Sequence, residues 1–194
     1  MVSSLHIVSL MLAAGAIASP ARRQIEDYCR PQFTGDAVNV LLSTDHTQAW
    51  EFKWPEAGDA PHAVTMTNAD LTSAESQWYL WPNNGSSPDW TISTFSTSLL
   101  NRFVFCAQSP QDTTYPVGLT ADWCVDDKTG YGKGAATFSI YCEECGENSG
   151  THCFLKMPFI GNICPAVPAS NSPAVVLTKC GYADNSAWDF VPVA

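Results

Sequence analysis

Apolar and polar residues alternate along this chain in short runs, and Pro, Gly, Ser, Asn and Asp separate the runs. The C-terminal stretch shows this most clearly. Asn162-Ile163-Cys164-Pro165-Ala166-Val167 is an apolar run with a cysteine near its start, and Pro173 to Cys180 (PAVVLTKC) is a second run closed by a cysteine. Asn185-Ser186-Ala187-Trp188-Asp189-Phe190 is a third, built on a Trp-x-Phe pair. Short runs rich in β-branched and aromatic residues, bounded by turn residues, predict strands. Such a unit cannot bury its own apolar face, so it predicts copies of itself. Strands are expected near 37–43, 48–54, 62–67, 76–81, 90–95, 102–107, 117–125, 135–142, 153–157, 174–180 and 187–192. No long window holds an uninterrupted helical stripe, and Asp70 to Gln77 reads as a loop with one turn. Alternation along a strand places Trp188 and Phe190 in the core and Asp189 in water.

Degraded copies of the unit occur upstream. Cys29 opens a stretch containing Asp36-Ala37-Val38-Asn39-Val40-Leu41-Leu42 and ending Gln48-Ala49-Trp50-Glu51-Phe52. Ala63-Val64-Thr65-Met66 leads to Ser76-Gln77-Trp78-Tyr79-Leu80, and Cys124-Val125-Asp126-Asp127 leads to Thr137-Phe138-Ser139-Ile140-Tyr141-Cys142. The sequence Cys, turn, Val-x-Leu strand, polar loop, x-Trp-x-Phe resembles the repeat of ricin-B-type lectins. The match is closest over 163–191, partial over 29–54 and 120–142, and faint over 61–82. The resemblance implies an all-β, disulfide-rich β-trefoil-like domain with pseudo-repeats, and carbohydrate binding.

Residues 1–19 read as a signal peptide: Leu5 to Ile17 is apolar, and small residues follow at Ala18 and Ser19. Arg22-Arg23 makes 20–23 a possible dibasic propeptide, leaving 24–194 as one domain and placing the protein outside the cell. The chain of 194 residues carries a net charge of −10, from nine basic and nineteen acidic residues. That balance argues against nucleic acid, which needs clustered Lys and Arg, and against anionic membrane surfaces. No run outside the signal peptide is long enough to insert in a membrane as a helix. Asn84-Gly85-Ser86 is an N-glycosylation sequon in a turn-rich loop, so a glycoprotein is expected. Oligomeric state is not readable.

Eight cysteines behind a secretory signal imply four disulfides. Cys164–Cys180 flanks the two strands of the clearest unit, where the ricin-type repeat also pairs cysteines. By stapling the chain terminus it is expected to matter most to stability. Cys145–Cys153 brackets a small Gly-Glu-Asn-Ser-Gly loop. Repeat logic then favours Cys124–Cys142 with Cys29–Cys106, against the alternative Cys106–Cys124 with Cys29–Cys142. Cys142-x-x-Cys145 followed by His152-Cys153 has the spacing of half a zinc site, but oxidised cysteines take precedence in the secretory route, and no metal or cofactor is assigned.

No nucleophile elbow, zinc-protease motif or phosphate loop is present. Asp126-Asp127 and Glu143-Glu144 are adjacent residues that point to opposite faces of a strand, so neither forms a facing carboxylate pair. The expectation is therefore a lectin-like protein that binds a glycan or glycoprotein without catalysis, or alternatively an inhibitor or effector on the same fold that binds a protein. The resemblance places a sugar-binding carboxylate two residues after the first cysteine. Only Asp126 keeps it; Pro31 and Ala166 stand there in the other copies. The amides ahead of the Trp are split between Gln48 and Asn185. A surviving site would lie between Asp126 and the loop 143–152, with Asn148 and His152 as polar edges and Tyr141 as the nearest aromatic. Trp50, Phe52 and Trp54 share one strand face, as either a core stripe or a stacking platform; Trp90 and Trp123 read as core.

Overall fold

The computed structural model describes residues 27–53, 62–82, 89–95, 104–110, 114–124, 136–168, 172–181 and 184–193, with the side chain of Trp123 also outside the description. Among these residues there is no α-helix. The strands are β1 (Ala37–Leu42), β2 (Asp45–Glu51), β3 (His62–Ala63), β4 (Thr65–Asn68), β5 (Trp78–Pro82), β6 (Asp89–Phe95), β7 (Val104–Gln108), β8 (Val117–Gly118), β9 (Thr120–Trp123), β10 (Thr137–Tyr141), β11 (Glu144–Gly146), β12 (Ser149–Lys156), β13 (Ile163–Ala166), β14 (Val176–Lys179) and β15 (Ala187–Pro192). The expected single turn between Asp70 and Gln77 is a 3₁₀ turn, Ala74–Ser76, capped by the Ser73 hydroxyl.

Alternation builds the core. Val38 and Val40 on β1, Trp78 and Leu80 on β5, Phe138 and Ile140 on β10, and Trp188 and Phe190 on β15 are all buried. Their strands belong to an antiparallel ring in which β1 pairs β5, β5 pairs β6, β6 pairs β10, β10 pairs β12, β12 pairs β15 and β15 pairs β1. The ring is a six-stranded barrel, and closure leaves it no free edge. Three hairpins are inserted between consecutive ring strands: β2–β4 after β1, β7–β9 after β6, and β13–β14 after β12. The chain is therefore three units, 37–82, 89–141 and 149–192, each a ring strand, a hairpin and a second ring strand.

The hairpins are tied to one another in a cycle. β3 pairs β9, β8 pairs β14, and Thr65 bridges Ala174. Inside this cycle the N–H of Val64 donates to Leu119 O at 2.8 Å, that of Leu119 to Val175 O at 2.8 Å, and that of Val175 to Val64 O at 2.9 Å. All three residues are fully buried. Buried backbone groups need partners, and this triangle satisfies one donor and one acceptor from each unit with the corresponding groups of the other two.

The unit boundaries correct the reading of the repeats. The two stretches read as separate copies, 29–54 and 61–82, fall in one unit from residue 37 onward, and Trp50 and Glu51 lie on a hairpin strand, with Phe52 just after it, rather than on a closing ring strand. Both kinds of strand alternate with period two, so periodicity cannot tell them apart. Trp50 and Phe52 are fully buried, which excludes them as a surface platform; Trp54 lies outside the described residues. Trp90 is buried as expected, and the Trp123 side chain is not described.

The four disulfides are Cys29–Cys145, Cys106–Cys124, Cys142–Cys153 and Cys164–Cys180. Cys164–Cys180 is as expected. Cys106–Cys124 belongs to the alternative pairing and holds the second hairpin as Cys164–Cys180 holds the third. Cys145–Cys153, Cys124–Cys142, Cys29–Cys106 and Cys29–Cys142 do not form. The assumed copy at 124–142 begins after β9 and ends on β10, so its cysteines sit on different elements. Cys142, Cys145 and Cys153 are all oxidised, which removes the zinc spacing. Gly150 is what admits Cys142–Cys153: a Cβ there would stand 2.6 and 2.8 Å from the two sulfurs.

An N-terminal arm, 27–36, lies outside the three units and along the segment 142–148 that joins the second to the third. Cys29 exchanges two backbone hydrogen bonds of 2.9 Å with Cys142, and Gln32 forms a parallel bridge with Glu147. Phe33 plugs the arm into the core, edge-on to Trp90 at 5.1 Å and to Phe190 at 5.2 Å.

Candidate functional site

The arm alternates. Pro31 and Phe33 are buried, while Arg30, Gln32 and Thr34 are exposed. The three exposed residues form one wall of a cleft of ≈ 520 Å³ whose other wall is Cys145, Gly146 and Glu147 on β11 and the turn after it. The Cys29–Cys145 disulfide joins the two walls. The wall groups are a guanidinium, an amide, a hydroxyl and a carboxylate. Tyr141, at the end of β10, anchors Arg30: the guanidinium lies over its ring at 4.5 Å from the centroid and donates to its hydroxyl at 2.8 Å.

Asn148 orders the floor. It occupies the turn between β11 and β12 with φ 51°, a left-handed conformation that Asn tolerates better than most residues. Its side chain is buried, yet fully engaged with the arm. Oδ1 accepts the Thr34 N–H at 2.7 Å, and Nδ2 donates to Thr34 Oγ1 at 2.7 Å and to Asp36 Oδ2 at 3.0 Å. The Thr34 hydroxyl in turn donates to Asp36 Oδ2 at 2.7 Å. The polar residues 34 and 36 are thereby held in place before any ligand arrives.

Of the residues singled out from the sequence, Tyr141 and Asn148 do not line this cleft but hold two residues that do, Arg30 and Thr34. His152 does neither: it faces the β1–β2 turn, with Nδ1 3.4 Å from Ser43 Oγ. Gln48 on β2 donates to Asn68 Oδ1 across its hairpin at 3.3 Å, and Asn185 donates to Val167 O at 2.9 Å. Both hold local backbone or hairpin geometry, and neither joins the cleft. Asp126 and the sequon Asn84 lie outside the described residues. Arg30, Gln32, Thr34, Asp36 and Glu147 were missed, although the exposed-buried alternation of 30–34 was visible in the sequence.

Asp189 is a further correction, because it is buried rather than in water. The β12–β15 ladder shifts register between Gly150 and Cys153, and His152 there has φ 47°. A bulge takes backbone groups out of the ladder. Asp189 accepts the freed His152 N–H on Oδ1 at 2.7 Å, and its Oδ2 lies 2.6 Å from Nε2 of His46. The carboxylate is covered by the elements it pins.

No protein-family model and no curated protein sequence matches the chain. Solved structures match it in shape. A mosquitocidal holotoxin aligns with a TM-score of 0.59 at 9% identity, over 82% of this chain and 17% of the toxin. The BEL β-trefoil gives 0.56 at 13% identity, over 85% of this chain and 97% of its own. A GH54 α-L-arabinofuranosidase gives 0.55 at 12% identity, over 86% of this chain and 33% of the enzyme. The chain thus spans a small part of the toxin and a third of the enzyme, but nearly all of the β-trefoil protein. At such identities the likeness is one of fold: this all-β chain, closed as a six-stranded barrel, resembles a known β-trefoil.

Proposed function

We propose that this protein is a β-trefoil of the lectin type that acts outside the cell, binding neutral carbohydrate without turning it over. The three hairpins around a six-stranded ring support the fold reading, and four disulfides fit an oxidising compartment. The observation that carries the binding reading is the cleft between the arm and β11. Its wall offers an ordered set of donors and acceptors, Arg30, Gln32, Thr34 and Glu147, which is what a polyhydroxylated ligand requires. Tyr141 holds Arg30, Asn148 holds Thr34, and the Gln32–Glu147 backbone bridge and the Cys29–Cys145 bond hold the two walls together, so less ordering entropy is lost on binding.

A glycan array probed with the purified protein, followed by calorimetric titration of the best neutral hits, tests this. Gln32→Ala and Glu147→Ala should each weaken binding about tenfold, close to 1.4 kcal/mol, with the melting temperature unchanged. No binding by the parent protein, or unchanged affinity in both variants, rejects the cleft as a sugar site. One observation favours a second reading, an inhibitor or effector that docks on a protein: Phe159, in the 3₁₀ turn Pro158–Ile160, is 67% exposed. A glycan-negative protein that loses a protein partner on Phe159→Ser would support that reading instead.

A further inference from the structure

We infer that Trp81 is a stacking plate that extends the cleft, and that the ligand is a neutral β-1,4-linked oligosaccharide lying across both; this rests on the carbohydrate-binding reading above. Trp81 is 43% exposed, whereas Trp50, Trp78 and Trp188 are fully buried and Trp90 nearly so. An exposed indole contributes little to the core, yet this one is held rigidly. Its Nε1 donates to the Ser93 hydroxyl at 3.0 Å, and Ser93 is itself fully buried. Phe95 meets it edge-on at 6.4 Å and packs on Tyr79 at 4.6 Å. The benzo edge lies against Gly35, where an added Cβ would stand 3.0 Å from Cζ3 and 3.2 Å from Cη2. Gly35 also has φ 89°, so both the arm's turn and the ring's position require glycine there.

That contact joins the plate to the cleft. Gly35 sits between Thr34, which lines the cleft, and Asp36, whose carboxylate Thr34 and Asn148 hold in place. An aromatic face flanked by an oriented carboxylate and hydroxyl matches a pyranose, which presents a patch of C–H groups on one side and hydroxyls at its edge. Thr34 lines the cleft and the next residue, Gly35, touches the plate, while Trp81 is not itself part of the cleft lining, so a ligand of more than one sugar ring is needed to engage both. Equatorial β-1,4 linkages keep successive rings extended and flat enough to span them. Charge selects the class. Glu147 lines the cleft with Arg30, Asp36 stands exposed beside Thr34, and Arg30 is already engaged by Tyr141. A uronate or sulfated chain would meet like charge, which disfavours it.

The test titrates the full protein with cellotriose and chitotriose, with the corresponding methyl β-glycosides, and with trigalacturonate, following heat and tryptophan fluorescence. At least one neutral trisaccharide should bind about tenfold more tightly than its methyl glycoside. Trp81→Ala should remove that advantage while leaving methyl glycoside affinity unchanged, and Trp81→Phe should retain part of it. Gly35→Ala, which displaces the ring and also strains the arm's turn beside Thr34, should weaken the trisaccharide and the methyl glycoside alike. Trigalacturonate should not compete. Unchanged trisaccharide affinity in Trp81→Ala, with cleft binding intact, overturns the plate but leaves the cleft reading standing. Trigalacturonate binding as tight as the neutral sugars overturns the ligand class. Failure of every neutral sugar to bind the parent protein overturns both readings.

Discussion

Replacing Cys29 and Cys145 together by Ser removes the bridge between the arm and β11. In the chain-entropy account, a disulfide is worth more the longer the loop it closes in the unfolded chain. Cys29 and Cys145 are 116 residues apart, against 16 for Cys164 and Cys180. The Cys106–Cys124 bond short-circuits 18 residues of the long loop. The remaining loop of about 100 residues corresponds to about 4.7 kcal/mol, and the short one to about 3 kcal/mol. The connectivity therefore reverses the expectation that Cys164–Cys180 matters most. The larger value requires the arm to stay docked without its bridge. Phe33 is 6% exposed and wedged between Trp90 and Phe190, and Asn148 holds Thr34 by two hydrogen bonds of 2.7 Å. Urea unfolding followed by tryptophan fluorescence should show Cys29→Ser/Cys145→Ser losing about 1.5 kcal/mol more than Cys164→Ser/Cys180→Ser. Equal losses, or a larger loss for the second pair, would refute the reasoning. So would an unchanged urea midpoint with fast amide exchange at Cys29 and Asn148, because the arm would then be fraying locally.

Two further expectations follow from the carboxylates. Asp189→Ala leaves the His152 N–H without its acceptor and should cost about 2–3 kcal/mol in urea unfolding, whereas Asp189→Asn keeps an acceptor and should restore most of it; the His46 contact adds little because His46 is 57% exposed. Thr47 donates its hydroxyl at 2.6 Å and its N–H at 3.0 Å to Asp45, and Thr72 repeats the turn at Asp70, so both carboxyls are held below the ordinary value of 3.8. Depressed carboxyls contribute stability that is complete above their unfolded pKa and is lost as pH falls through the folded one. The melting temperature of Asp45→Asn/Asp70→Asn should therefore fall less steeply than that of the parent below about pH 4, and parallel curves would show that the turns contribute nothing.

Most strands were legible because alternation survives at each closing strand, Trp78-Tyr79-Leu80, Phe138-Ser139-Ile140 and Trp188-Asp189-Phe190. Strand β11 was not, because Glu144-Cys145-Gly146 has no inward residue to mark it; all three are exposed. Unit phase was not legible either, since Trp50 and Phe52 are as apolar and as buried as the ring pairs they imitate. Asp189 misled because a bulge in a different strand, far away in sequence, supplies its donor. Cys29 misled for a related reason: read as the start of a repeat, it concealed an arm whose partner lies 116 residues on. Asn148 was found, but as a polar edge; that it orders Thr34 and Asp36 depends on a left-handed turn that composition alone does not fix.

The triangle of Val64, Leu119 and Val175 makes the three units equivalent where the fold needs them to be, and only there. Each unit must supply one buried N–H and one carbonyl to the centre and an inward-facing pair to the ring. The resemblance to the ricin-type repeat would put a carboxylate at Pro31 and Ala166, but Pro31 lies in the arm, outside all three units. That proline is buried, and its neighbours Arg30 and Gln32 face the cleft. Of the five residues Arg30 to Thr34, three build the polar wall of the cleft: Arg30, Gln32 and Thr34. The arm belongs to none of the three units but touches each of them, at Trp81, at Trp90 and Tyr141, and at Phe190, and it does so unequally, so it breaks the threefold equivalence without disturbing the central triangle. A binding surface made by the arm needs no carboxylate at Pro31 or Ala166. It needs Asn148 in its left-handed turn, Gly35 beneath Trp81, and the Cys29–Cys145 bond that holds the arm against β11.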